Sequence, residues 1–232
     1  MNNRVNYFKV RRGLSFILAG FFLFNHQSVL SSIESITPGT QAASSSRQSG
    51  YTLVSNGKPV LWKSCSTIKY VVSEDTSAAE LATLKKAFAI ESELTGHKFQ
   101  FLGKVKDQAS NKWASRKYAG LEYSPVLITW TDEDNDLING LTAGGTLANP
   151  TRGENPELVT GSITFDRSIY NTLNPGFGSG NSQGNLVLHE LGHLLGLDHS
   201  DGKSDLMNPQ ISEHTHKGYT ESEENLLSNS CQ

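Results

Sequence analysis

His189-Glu190-Leu191-Gly192-His193-Leu194-Leu195-Gly196-Leu197-Asp198-His199 is the stretch from which the rest of the chain is read. His189 and His193 stand four positions apart, so on a helix they share one face and can hold one ion between their imidazoles. Glu190 is the next residue round, within reach of a water on that ion without ligating it. Gly196 can take the positive φ that ends a helix and reverses the chain, which would bring His199 back as a third nitrogen ligand. Three imidazoles leave the fourth tetrahedral position of zinc open to water, the mark of a reactive site rather than a structural one. A bare His-Glu-x-x-His recurs by chance in unrelated chains. Ligands, acid and glycine together on a segment with helical periodicity are a far more specific signal.

Working outward, Leu186, Leu191, Leu194 and Leu195 give a helix over Asn185–Leu195 an apolar face opposite the metal. Before it, Asn174–Gly184 is too glycine-rich to be regular. After it, Thr220 with Glu223 is a capping box that opens a C-terminal helix containing Leu226 and Leu227. Near the start, Thr67–Ser73 alternates β-branched and aromatic residues as a strand does. Ser77 with Glu80 caps a helix carrying Leu81, Leu84, Phe88 and Leu94, which Gly96 ends. Lys98–Leu102 predicts a second strand with Phe99 and Phe101 on one face. Pro125–Thr131 is nearly all apolar, as in a central strand buried on both sides. Gly140–Pro150 predicts a short edge strand and Thr160–Phe165 another strand. This order gives an α+β single domain, a twisted mixed sheet packed on two helices with a third helix at the C-terminus.

The folded part is expected over 51–232. Residues 1–31 have the form of a secretory signal: basic Arg4, Lys9, Arg11 and Arg12, then the apolar run Gly13–Phe24. That run is short for a membrane span of ~20 residues, so an uncleaved anchor is the lesser alternative. Residues 32–50, rich in Ser, Thr, Gln and Gly, predict a disordered spacer or short pro-segment. Losing four leader cations and no acid lowers the formal charge from −3 to about −7. No Lys/Arg cluster is left to follow a phosphate backbone, which argues against a nucleic-acid partner. A secreted or extracellular monomer is the expectation. Of the two cysteines, Cys65 and Cys231, three fates stay open: a disulfide favoured by an oxidising compartment, two unpaired thiols, or Cys65 as an inhibitory thiolate on the metal.

The chain resembles the metzincin zinc proteases, and among them the matrixin (matrix metalloprotease-like) branch. Ser200 follows the third histidine as in matrixins. Asp205-Leu206-Met207-Asn208-Pro209 looks like the matrixin Met-turn, and Pro209 stands where other branches place a tyrosine ligand. The similarity is strongest over 184–210 and extends loosely across most of the remaining folded part. It implies a zincin-like fold and a secreted zinc endopeptidase with His189, His193 and His199 as zinc ligands. Zinc would activate a water, and Glu190 would act as general base and then general acid. Met207 would form an apolar floor. A peptide substrate would lie extended along Gly144–Ala148 as an added strand, its side chain in a pocket walled by Asn208–His216.

The departures from that pattern are specific. No cysteine-switch motif or full prodomain is expected, nor a hemopexin-like domain after Gln232. The histidines of a second, structural zinc are missing after Thr131, where Asp132, Asp134 and Asp136 stand instead. An EF-hand is excluded because Leu137 replaces the required glycine and Ala143 the bidentate glutamate. A solvated acidic loop and a Ca2+ site using these acids or Asp166 both stay open. His214 and His216 read as exposed loop residues, with pocket lining or stray metal binding as the alternative. Two competing functions share the same residues: a zinc-binding recognition module on a protease fold, and a zinc amidase acting on cell-wall peptides.

Overall fold

The computed structural model describes residues 50–109, 113, 120–132, 135, 137–138 and 142–228. The expected leader and most of the spacer lie outside these residues, as do Asp134, Asp136 and Cys231. A small hairpin comes first, β1 (Val54–Ser55) and β2 (Lys58–Pro59), closed by Asn56 and Gly57 at φ 51° and 75°. Two consecutive positive φ values are what a two-residue type I′ turn demands, and Asn-Gly is the pair that supplies them at least cost.

β3 (Thr67–Ser73) leads into α1 (Ala78–Thr95), and β4 (Lys98–Val105) comes next. The capping box is present in full. Glu80 N donates to Ser77 Oγ at 3.2 Å and Ser77 N donates to Glu80 Oε2 at 2.6 Å. Gly96 ends the helix at φ 73°. β5 (Val126–Thr131), β6 (Gly144–Pro150) and β7 (Leu158–Asp166) complete a five-stranded sheet in the order β4-β3-β5-β7-β6. Four strands run parallel, and only β6 pairs antiparallel, with Gly144 opposite Phe165 and Ala148 opposite Gly161. A four-residue α2 (Arg167–Tyr170) precedes the longer α3 (Gln183–Leu194) and α4 (Glu221–Ser228).

β5 is buried on both faces, as its apolar run predicts. Val126, Ile128 and Trp130 enter the main core with Leu84, Phe88, Leu186, Leu191 and Leu194 of α1 and α3, while Leu127 joins Val71, Leu147 and Trp113 on the other side. The α+β sheet-and-helix architecture is therefore the one expected, with α1 and α3 packed together. At the mouth of the sheet, Arg167 reaches three carboxylates: Glu80 at 3.0 Å, Asp75 at 3.1 Å and Asp132 at 3.4 Å. Asp132 thus has a cation partner, and Asp166 caps α2 by accepting from Ile169 N at 2.9 Å and Ser168 Oγ at 2.6 Å. Among the described residues nothing supports the calcium alternative.

Candidate active site

α3 starts where Ser182 Oγ accepts from Asn185 N at 3.1 Å, two residues before the start expected from periodicity. Every residue from Gly184 to Leu194 is buried, so the helix is sheathed in protein on all sides. Leu195 N and Gly196 N turn back onto α3 carbonyls, Gly196 takes φ 106°, and Leu197 N donates to Gly192 O at 2.9 Å. This is the glycine reversal the motif predicts, and it returns His199 to the helix.

The three histidines converge. His193 Nε2 lies 3.2 Å from His189 Nε2 and 3.1 Å from His199 Nε2. The other nitrogens of the two helical rings face carbonyls: His189 Nδ1 lies 2.7 Å from Leu206 O, and His193 Nδ1 lies 2.8 Å from Leu197 O. A carbonyl has no proton to give, so each Nδ1 is the donor and each Nε2 carries a lone pair. Lone pairs aimed at one another at such distances repel unless a cation sits between them. Tetrahedral zinc with bonds of ~2.1 Å spaces its ligand atoms by about 3.4 Å, close to the separations seen. The donor set fits zinc, and the three rings form the one group of metal-binding geometry among the described residues.

Glu190 is 1% exposed. Thr146 Oγ1 on β6 donates to its Oε2 at 2.6 Å and also lies 3.1 Å from the Glu190 carbonyl. Gly144 makes room for it, since a Cβ there would stand 2.6 Å from Glu190 Oε1. Burial pushes the Glu190 carboxyl up to about 7, against the lowering effect of the Thr146 hydroxyl. β6 thus does two things: it holds the Glu190 carboxyl of α3, and as the last strand of the sheet it leaves its outer side unpaired by any described strand.

Against the histidine-bearing helix, Met207 is buried with its Sδ only 2.6 Å from where a Cβ on Gly192 would be. Ser200 N donates to Met207 O at 2.9 Å, closing the loop between the third histidine and the turn. Glu223 holds that turn from α4: Met207 N donates to its Oε1 at 2.6 Å, and Leu206 N to its Oε2 at 3.3 Å. Trp62 Nε1 donates to Leu194 O at 2.8 Å at the end of α3.

His214 and His216 stay outside this cluster. Both side chains are exposed, and His214 faces Glu213 at 3.7 Å. Cys65 is disulfide-bonded and so offers no thiolate to a metal; Cys231, the chain's other cysteine, lies outside the described residues. The motif itself names none of Thr146, Gly144, Trp62 and Tyr219, and the Thr220–Glu223 pattern gives Glu223 only a helix-capping role.

The sequence matches the model of the matrixin family over residues 61–226. No curated protein matches it. Among solved structures it is similar to metalloproteinase-II from Bacteroides fragilis, at 16% identity and a TM-score of 0.41, over 75% of this chain and 57% of that one.

Proposed function

Because the chain belongs to the matrixin family of zinc metalloproteases, we propose that it is a secreted zinc endopeptidase in which His189, His193 and His199 hold the metal and Glu190 is the catalytic acid and base. The observation that carries this is the convergence of three Nε2 lone pairs, two with their Nδ1 atoms fixed by carbonyls, beside a buried carboxylate. Zinc held there supplies Lewis-acid activation of a water and of the scissile carbonyl. With zinc bound, Glu190 would serve as the base toward such a water and as the acid toward the departing amide nitrogen, so both duties would fall on one carboxyl. Thr146 restrains the carboxyl between these two tasks.

The outer edge of β6 offers backbone donors and acceptors to an extended peptide running antiparallel to it. Such bonds ignore side chains, so selectivity falls to the segment 208–216 after Met207. Secretion rests on the leader-like residues 1–31, and no helix of the described residues is long and apolar enough to cross a membrane. The folded unit runs from about residue 51 to the C-terminus.

The test is cleavage of an unfolded protein and of a mixed peptide library by the purified chain. Activity should vanish with a chelator and return with zinc. Glu190→Ala should fold and bind zinc yet lose about 10²–10⁴ in kcat. A fully active Glu190→Ala would overturn the assignment. Zinc binding without any peptide cleavage would favour a recognition module, and cleavage confined to cell-wall peptides an amidase.

A further inference from the structure

Tyr219 stands just before α4 and is 4% exposed. Its Oη lies 2.6 Å from Glu91 Oε1 on α1 and 2.6 Å from the carbonyl oxygen of Leu188 on α3. Three oxygens in a row at these separations need two protons. The tyrosine has one, and the peptide carbonyl has none. If Tyr219 donates to Leu188 O, the contact with Glu91 is left without a hydrogen unless the carboxyl itself supplies it.

The surroundings agree. Glu91 is fully buried, its Oε2 has no hydrogen-bond partner, and no Lys or Arg among the described residues pairs with it. An unpartnered oxygen is far less costly as the carbonyl of a neutral acid than as half of a carboxylate. The other acid bearing on Tyr219 is Glu223 of α4, and a second negative charge beside the phenol would make matters worse.

We propose that Glu91 is a positioning residue of the metal site that works as a neutral carboxylic acid, donating to Tyr219, which in turn donates to Leu188 O. Leu188 O belongs to the peptide that leads into His189. The network therefore fixes the first ligand's backbone from the α1 side, while Leu206 O fixes its ring from the other. Gly192 lets it through, because a Cβ there would stand 3.1 Å from Tyr219 Oη. This role rests on the proposed zinc site, whereas the protonation state of Glu91 does not.

Two measurements separate them. Infrared difference spectra of the metal-free chain at neutral pH should show the carbonyl stretch of a protonated carboxylic acid that loses intensity in Glu91→Gln. Zinc affinity is then measured by competition with a chromogenic chelator. Glu91→Gln, whose amide N–H can replace the acid proton, should stay within about twofold of wild type. Glu91→Met and Tyr219→Phe, each confirmed folded by near-ultraviolet circular dichroism, should bind zinc about tenfold more weakly. The proposal is overturned if Glu91→Gln removes no intensity from the acid band, part of which the Glu190 carboxyl can also supply, or if the folded Met and Phe variants keep wild-type affinity. Should those two variants fail to fold, the Gln variant alone decides: affinity well below wild type overturns the donor role. A wild-type chain that binds no zinc would overturn the metal-site reading, and the positioning role with it, while the infrared band still reports on Glu91.

Discussion

The Thr146 hydroxyl and the Glu190 carboxylate are joined by a 2.6 Å hydrogen bond that ties the edge strand to the helix bearing His189 and His193. A charge-assisted bond of this kind contributes about 1.5–3 kcal/mol, roughly 10- to 100-fold in rate if it holds the reacting group in place. Thr146→Val should lower kcat/KM by that factor and leave zinc content at one ion per chain, and Thr146→Ser should recover most of the loss. Steady-state kinetics with metal analysis checks both. An unchanged kcat/KM in Thr146→Val would remove Thr146 from the machinery.

Gly192 has a different kind of constraint. A methyl there would meet Met207 Sδ at 2.6 Å and Tyr219 Oη at 3.1 Å. Overpacking a filled core costs about 1–3 kcal/mol. Gly192→Ala should therefore lower the urea midpoint and weaken zinc binding. Met207 is the flexible neighbour, so shortening it should give the methyl room. The Gly192→Ala/Met207→Ala pair should be less destabilised than the sum of the two single changes. Strict additivity would mean that the methyl is accommodated elsewhere.

Glu91 makes stability depend on pH. Burial pushes its carboxyl up to about 8, and a hydrogen bond donated to Tyr219 favours the same neutral form. The folded chain therefore holds a proton that the unfolded chain gives up near pH 4.5. The stability this group contributes is fully present below about pH 4.5. It declines by about 1.4 kcal/mol per pH unit above that and is exhausted once the pH passes about 8. Other groups titrate in the same range, so the test is a difference: wild type minus Glu91→Gln, from denaturant unfolding of the metal-free chains between pH 5 and 9. The difference should move against wild type as pH rises. A flat difference would contradict the neutral-acid description.

Much of the site is legible in the sequence. His189 and His193, Glu190, the glycine turn and His199 come from local geometry, because a helix fixes what lies four residues away and a positive φ at Gly196 sets the direction in which the chain leaves the helix. The capping box at Ser77 is readable for the same reason, whereas at Thr220 the expected box gives way to a Glu223 carboxylate that accepts from both Thr220 N and Thr220 Oγ1. What the sequence hides is tertiary. Leu197 and Leu206 act through their carbonyls, which every residue has, so no side chain announces them. Thr146 and Trp62 come from segments whose patterns announce only β structure or nothing regular. Glu91 sits in a helix that looks like ordinary core packing, and its role appears only when Tyr219, 128 positions later, is placed beside it. The Asn56-Gly57 pair has the chemistry of a hairpin turn, but strands of only two residues leave no alternation on either side to mark it.

Trp62 supplies the last test. The final carbonyls of a helix have no partners within it, and at the end of α3 the Leu194 carbonyl is met by Trp62 Nε1 at 2.8 Å in a buried contact. Replacing the indole with phenylalanine keeps most of the apolar contact and strands a buried acceptor, at a cost of about 1–3 kcal/mol. The stranded group lies at the turn through Gly196 that returns His199 to its partners. Trp62→Phe should therefore weaken the metal site as well as the fold: its unfolding free energy should fall, and its zinc affinity should fall with it. Zinc stabilises whichever chain binds it more tightly by mass action, so the gap in unfolding free energy between wild type and variant should be wider with a fixed, sub-saturating zinc concentration than without metal. An equal gap in both conditions would confine Trp62 to packing and leave the position of His199 to the glycine turn alone.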